Sequence, residues 1–226
     1  MENKVEKSNR QLVLSLLIGF LLTFCGGFFD GYTYLVRDNT FATMQTGNMI
    51  MFIVKLFMGN MEAFVLLLPI LFFSLGVIVS GLFNKINHKK VIRIAFCLVV
   101  CLLLVIESLI KDHYFNFIGS MIISFVAGMQ LELFQSFCGI KFMTTMCTGN
   151  LVNVNRQLIE IIVFPKKEAL KKMFIYILVI IMFALGVLFS CLFVDRWNQN
   201  AILFLIIVYV IISVIIYFKK EIEYEK

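Results

Sequence analysis

The chain has 226 residues, 61% of them apolar and 15% charged, with a net charge of +6 and a mean hydropathy of +0.97. A soluble domain runs to roughly 45–50% apolar and about 25% charged residues, and a fold of this length still has a large surface to cover. Lipid must be that surface. The positive charge does not mark a nucleic-acid partner, because no long basic face or aromatic-basic module accompanies it.

Crossing a hydrocarbon layer of about 30 Å takes about 20 apolar residues. Six runs qualify as candidate spans: Leu12–Phe29, Ala63–Phe83, Val91–Ile110, Phe115–Phe137, Phe174–Val194 and Ala201–Phe218. The first follows Lys4, Lys7 and Arg10, like the start of a signal peptide, but it is too long and lacks a clear small-residue cleavage site, so it predicts a retained helix. At its end stands Gly26-Gly27-Phe28-Phe29-Asp30-Gly31. Asp30 has two readings: a membrane carboxylate that faces a cavity, pairs or takes up a proton, or a group resting in the headgroup layer. Next comes Phe41–Met58, with Thr46-Gly47-Asn48 inside it. Pro69 predicts a kink in the Ala63–Phe83 run. Glu132, near Gln130 and Gln135, lies late in Phe115–Phe137 and reads as cavity-facing. Met143–Phe164 holds a second triplet, Thr148-Gly149-Asn150, along with Asn153, Asn155, Arg156 and Glu160. Lys219–Lys226 mixes charges and reads as a frayed cytoplasmic tail.

The two triplets belong to a duplication. Thr43–Ile50 faces Thr145–Val152 with five identities in eight, and Phe73–Phe83 faces Phe183–Phe193 with seven in eleven. At the first of these offsets Asp30 aligns with Glu132. The extra residues of the second half fall around Phe164-Pro165-Lys166-Lys167-Glu168. The fold class is therefore an all-α polytopic membrane protein, one membrane domain of two repeats over residues 11–110 and 111–218 between tails at 1–10 and 219–226.

Basic residues mark the cytoplasmic side of span ends. They gather at the N-terminus, at Lys85, Lys89, Lys90 and Arg93, from Lys141 to Lys172, and at Lys219 and Lys220. The connections near Arg37-Asp38, Lys55–Glu62, Lys111-Asp112 and Asp195-Arg196 are close to neutral. Six spans, with neither triplet crossing, put every basic cluster inside and both termini in the cytoplasm; the halves are then inverted repeats. Eight spans would make the repeats parallel and turn the Lys85–Arg93 cluster outward, and seven spans stay open because Phe41–Met58 is apolar enough to cross.

Backbone that leaves the helix within a bilayer must be buried in protein or line a watery cavity. Broken helices at matching places in two repeats point to a transporter binding site near the midplane. Thr46, Gly47, Asn48, Thr148, Gly149, Asn150, Asp30 and Glu132 are thus the candidate pathway for a small polar solute or ion. The structural alternative is that each Thr and Asn only caps a helix start and ties it to a neighbour. Gly27 and Gly31, Gly76 and Ser80, and Gly186 and Ser190 have the four-residue spacing of close helix seams. Cys25, Cys97, Cys101, Cys138, Cys147 and Cys191 form no CxxC, and with His88 and His113 they make no zinc set; they read as buried free thiols. No cofactor is expected, and no hydrolase, metalloprotease, P-loop or dinucleotide signature points to an enzyme.

Gly26, Gly27, Asp30 and Gly31, followed by an aromatic residue and by Thr46, Gly47 and Asn48, resemble the YoaK-like family of small bacterial membrane proteins, and the second triplet at 148–150 fits as well. The resemblance implies a multi-pass protein of the bacterial cytoplasmic (inner) membrane and supplies no substrate. Two functions compete: a transporter or channel for a small polar solute or ion, with proton coupling as an option, and a scaffold or modulator of other membrane proteins. The lipid bilayer is the expected partner of either, and a homo-oligomer is compatible with both.

Overall fold

Apolar sequence in lipid has one way to satisfy its backbone without closing a barrel, which is to bond within each segment. The computed structural model describes residues 2–86, 88–137 and 139–219, with side chains from residue 11 onward. Its main elements among the described residues are eight α-helices: α1 Glu2–Val36, α2 Gln45–Phe57, α3 Leu67–Phe83, α4 Lys89–Ser108, α5 Asn116–Leu133, α6 Cys147–Val163, α7 Lys167–Trp197 and α8 Phe204–Phe218. Short 3-10 turns at Met61–Leu66, His113–Phe115 and Asn198–Leu203 lead into α3, α5 and α8. Cys138 and the tail from residue 220 lie outside the described residues; the other five cysteines are free thiols, with Cys25 and Cys97 buried, Cys101 and Cys147 partly so and Cys191, against expectation, exposed.

Five stretches are long and apolar enough to cross a membrane: Gln11–Val36, Met61–Phe83, Lys89–Ser108, His113–Leu133 and Lys167–Phe218. The last contains both α7 and α8, joined by the Asn198–Leu203 turn. Neither α2, with 13 residues, nor α6, with 17, is among them. At 13 residues α2 spans about 20 Å, which is short of a bilayer crossing.

Contacts between ends give the helices their directions. The segment just after α1 bonds the end of α4 through Arg37 and Glu107, and the start of α5 through Asn116. This is the distal end of the bundle. At the opposite, proximal end Asn84 after α3 bonds the Glu132 carbonyl at 2.8 Å, and Lys219 after α8 bonds Ser15 near the start of α1 at 3.0 Å.

Three of the main packing pairs join one half of the chain to the other, α1 on α7, α3 on α5 and α4 on α8, while α6 lies on α7 within the second half. Glycine makes the first two possible. A Cβ at Gly27 would run into the carbonyl of Phe183, and one at Gly186 into the carbonyl of Phe24. In the other pair a Cβ at Gly128 would strike the carbonyl of Phe73, and one at Gly76 that of Phe125. Both seams therefore bring backbone against backbone at the expected small-residue positions, with Gly31 against the Ser190 hydroxyl. Beside the α1–α7 seam, the rings of Phe24, Phe28, Phe189, Phe193 and Phe204 interlock, many of them edge to face.

Two expectations are corrected. The first helix does not stop near Phe29 but continues to Val36, so Asp30 lies inside it. Pro69 makes no mid-helix kink: it is the third residue of α3, in the first turn, where its missing N–H breaks no helix bond.

Candidate functional site

Each Thr-Gly-Asn triplet opens a short helix, and the Asn is what sets the start. Asn48 Oδ1 accepts from the Phe41 amide at 2.8 Å, and its Nδ2 donates to the Phe41 carbonyl at 2.7 Å and to Gln45 Oε1 at 2.9 Å. Asn150 repeats this on Met143, accepting from its amide at 3.1 Å and donating to its carbonyl at 2.7 Å and to the Met146 carbonyl at 2.8 Å. A side-chain amide thus pairs with a peptide seven residues back and folds the chain into an elbow. The glycine leaves room for the clamped residue: a Cβ at Gly47 would come within 2.9 Å of the Phe41 ring, and one at Gly149 within 3.2 Å of the Met143 sulfur. Both asparagines are buried, while Thr46 and Thr148 are exposed. The Asn amides spend their hydrogen-bonding capacity inside their own elbows, Asn150 on backbone alone and Asn48 on backbone and the Gln45 side chain.

The chemistry lies three residues earlier, where the elbows touch. The Thr43 hydroxyl is 2.8 Å from the Thr145 carbonyl, and these two threonines are aligned positions of the sequence blocks. Thr43 also faces Asp30: its amide donates to Asp30 Oδ1 at 2.7 Å and its hydroxyl makes a close contact with Asp30 Oδ2. Asp30 is 3% exposed and lies six residues, about 9 Å, short of the end of α1. Among the described residues no lysine, arginine or histidine pairs with it. Thr145, fully buried, has a hydroxyl with no hydrogen-bond partner. Glycine 26 admits the loop, since a Cβ there would strike the Thr144 carbonyl. Beyond it, Gln130 Nε2 donates to Thr144 Oγ1 at 3.2 Å, and the buried Tyr209 hydroxyl donates to Gln130 Oε1 at 2.6 Å.

Glu132 does not share this site. It is partly exposed at the proximal end, where its carboxylate accepts from Gln135 at 2.8 Å. The paired seams explain why its alignment with Asp30 fails. Phe24 and Gly27 of α1 play the parts of Phe125 and Gly128 of α5, an offset one residue shorter than that of the elbows. In this register Leu131, not Glu132, corresponds to Asp30, and one helical residue turns a side chain by about 100°.

A second polar cluster at the distal end was not expected from the sequence. Arg37 and Glu107 are both fully buried and form an ion pair at 2.7 Å. Arg37 Nε donates to Glu107 Oε1 at 2.8 Å, Nη1 to the Ile110 carbonyl at 3.0 Å and to Asn116 Oδ1 at 2.8 Å, and Nη2 to the Glu107 carbonyl at 3.2 Å. The Tyr32 hydroxyl lies 3.0 Å from Glu107 Oε1 and 2.9 Å from the Gln199 carbonyl. Gly119 makes space for the guanidinium, because a Cβ there would sit 2.5 Å from Arg37 Nε. The cluster clasps α1, α4, α5 and the Asn198–Leu203 turn together. Arg37 beside Asp38 reads as a neutral loop; the missed signal is Glu107, a lone acid late in an apolar run. Among the described residues no group of three or more His, Cys, Asp or Glu could hold a metal ion.

No curated protein and no solved structure matches the chain. A family profile does match over residues 18–215, from the middle of α1 to late α8 and across both elbows, so the chain belongs to the family described as Protein of unknown function (DUF1275), in keeping with its YoaK-like motifs.

Proposed function

We propose that the protein is a transporter or channel of the bacterial cytoplasmic membrane for a small polar solute or ion, coupled to protons through Asp30, and not an enzyme. On this reading α1, α3, α4, α5, α7 and α8 are six spans, α2 and α6 are half-helices that do not cross, residues 11–110 and 111–218 are inverted repeats, and both termini are cytoplasmic. The observation that carries it is the elbow junction. Two short helices start side by side where Thr43 meets Thr145, against a buried carboxylate that no cation among the described residues offsets. Matched half-helices whose N-termini converge on a polar point are the arrangement transporters use to hold a solute or ion.

Hydrogen counting supports the proton. Thr43 Oγ1 has one hydrogen and two acceptor neighbours, Asp30 Oδ2 and the Thr145 carbonyl. A proton on Asp30 completes the chain, with Asp30 donating to Thr43 and Thr43 to the carbonyl. Losing it would leave an unpaired charge in a region where such charges are costly, which couples proton release to rearrangement of the junction. The test is flux into proteoliposomes across solute classes, with and without a pH gradient. Wild type is expected to carry one class with a response to the gradient, and Asp30→Asn, which mimics the protonated side chain, to fold normally and lose that response. A folded protein without flux for any class would favour the scaffold reading.

A further inference from the structure

A cavity of about 350 Å³ opens at the distal end, walled by Tyr34, Asp38, Asn39, His113, Asn116 and Asn198 among others. Three non-glycine residues among those described have a positive φ: Asp38 at 55°, Asn39 at 58° and Asn198 at 47°. All three line this one cavity. Asp and Asn tolerate that conformation best, but three together mean that the surrounding structure holds the loops in a set shape, as binding sites do. Directly behind the wall is the Arg37–Glu107 clasp, which Asn116 joins to the cavity.

The charge of the cavity follows from hydrogen-bond bookkeeping. Arginine can only donate, so the Asn116 atom 2.8 Å from Arg37 Nη1 must be its oxygen, and its NH₂ group points at the cavity. That NH₂ has two hydrogens. One goes to Asp38 Oδ1 at 2.9 Å and the other to His113 Nδ1 at 2.6 Å. Because an amide nitrogen cannot accept, His113 Nδ1 is the acceptor of that contact. The same Nδ1 lies 3.5 Å from Asp38 Oδ1 and, as an acceptor, has no hydrogen to give it. Arg37 is neutralised by Glu107. What is left on the wall, among the described residues, is one carboxylate with no lysine or arginine on it, Asp38, whose Oδ1 takes the Asn116 hydrogen and whose side chain is 45% exposed. Tyr34, whose ring stacks on Phe41 with centroids 5.4 Å apart, lends an aromatic wall that also favours a cation.

We propose that this cavity is a binding site for a small organic cation, an ammonium group on Asp38 Oδ2 with the rest of the molecule among the amides of Asn39 and Asn198. The site stands on its own geometry; that its occupant is also the transported solute rests on the transport reading above. An ammonium that draws Asp38 away from Asn116 also disturbs the amide that holds Arg37, so occupancy bears on the clasp.

The chain's single tryptophan gives the readout, because Trp197 immediately precedes Asn198 and is half exposed. The purified full chain in detergent is titrated with ethanolammonium, ethylene glycol and glycolate, three probes of like size and different charge, following Trp197 fluorescence. Ethanolammonium alone is expected to give a saturable change. Asp38→Asn keeps the positive φ and the acceptor for Asn116 and is expected to weaken binding by about tenfold or more, whereas Asp195→Asn, an exposed acid on α7 outside the cavity, leaves it unchanged. Equal responses to the three probes, no saturable response to ethanolammonium, or equal losses in Asp38→Asn and Asp195→Asn would each overturn the site. Asp30→Asn is expected to bind ethanolammonium normally, so failed transport and a failed distal site give different results.

Discussion

In the first elbow Asn48 clamps Phe41 while Thr43 holds Asp30. In the second, Asn150 clamps Met143 in the same way, but the hydroxyl of Thr145 is buried with nothing to hold. Where the two agree, the residues make shape, since an amide that bonds a peptide on both sides fixes where a helix begins. Where they differ, the residues carry chemistry. The first elbow has a carboxylate; the second has Leu131 in the corresponding helical register.

The comparison can be broken or sharpened by substitution, with stability read from unfolding in mixed micelles. The scale is set outside both elbows: Glu107→Gln strands Arg37 as a buried, uncompensated charge and is expected to cost about 3–5 kcal/mol. Asn48→Ala and Asn150→Ala each leave a part-buried amide and carbonyl without their side-chain partner, at roughly 2–4 kcal/mol apiece. The two costs should agree within error; a clear gap between them would mean the clamps are not equivalent. Thr43→Val removes the hydroxyl that faces Asp30 and should lose about 1–3 kcal/mol. Thr145→Val removes an unpaired buried hydroxyl, so it should shift stability by less than about 1 kcal/mol, and in the stabilising direction. Matching losses for Thr43→Val and Thr145→Val would show that the two elbows are loaded alike.

Much of the fold could be read from the residues. Apolar runs bracketed by lysines gave the long helices, and the Gly-Ser spacings gave both seams, because lipid leaves so few ways to satisfy a backbone. The Thr-Gly-Asn blocks located the elbows but not their division of labour. Asn48 and Asn150 look like ligands in sequence and are clamps in space, while Thr43 and Thr145, identical in the same aligned block, are the residues that meet. Pairing Asp30 with Glu132 failed because the helices and the elbows keep different offsets; the loop absorbs one residue, and no local pattern shows where. Arg37 and Glu107 were hidden by their separation along the chain, each sitting where a charge at a helix end needs no explanation.

The seams also bear on how the chain is made. Gly26 and Gly27 present two sides of α1, one fitted to the Thr144 carbonyl and the other to that of Phe183. Both partners leave the ribosome long after α1 does. Until then the first helix lacks the partners that fit its notched faces, and α3 likewise lacks α5. The two seams can close only once the second half is synthesised, and a chain cut before α7 would keep its first helix without its chief packing partner.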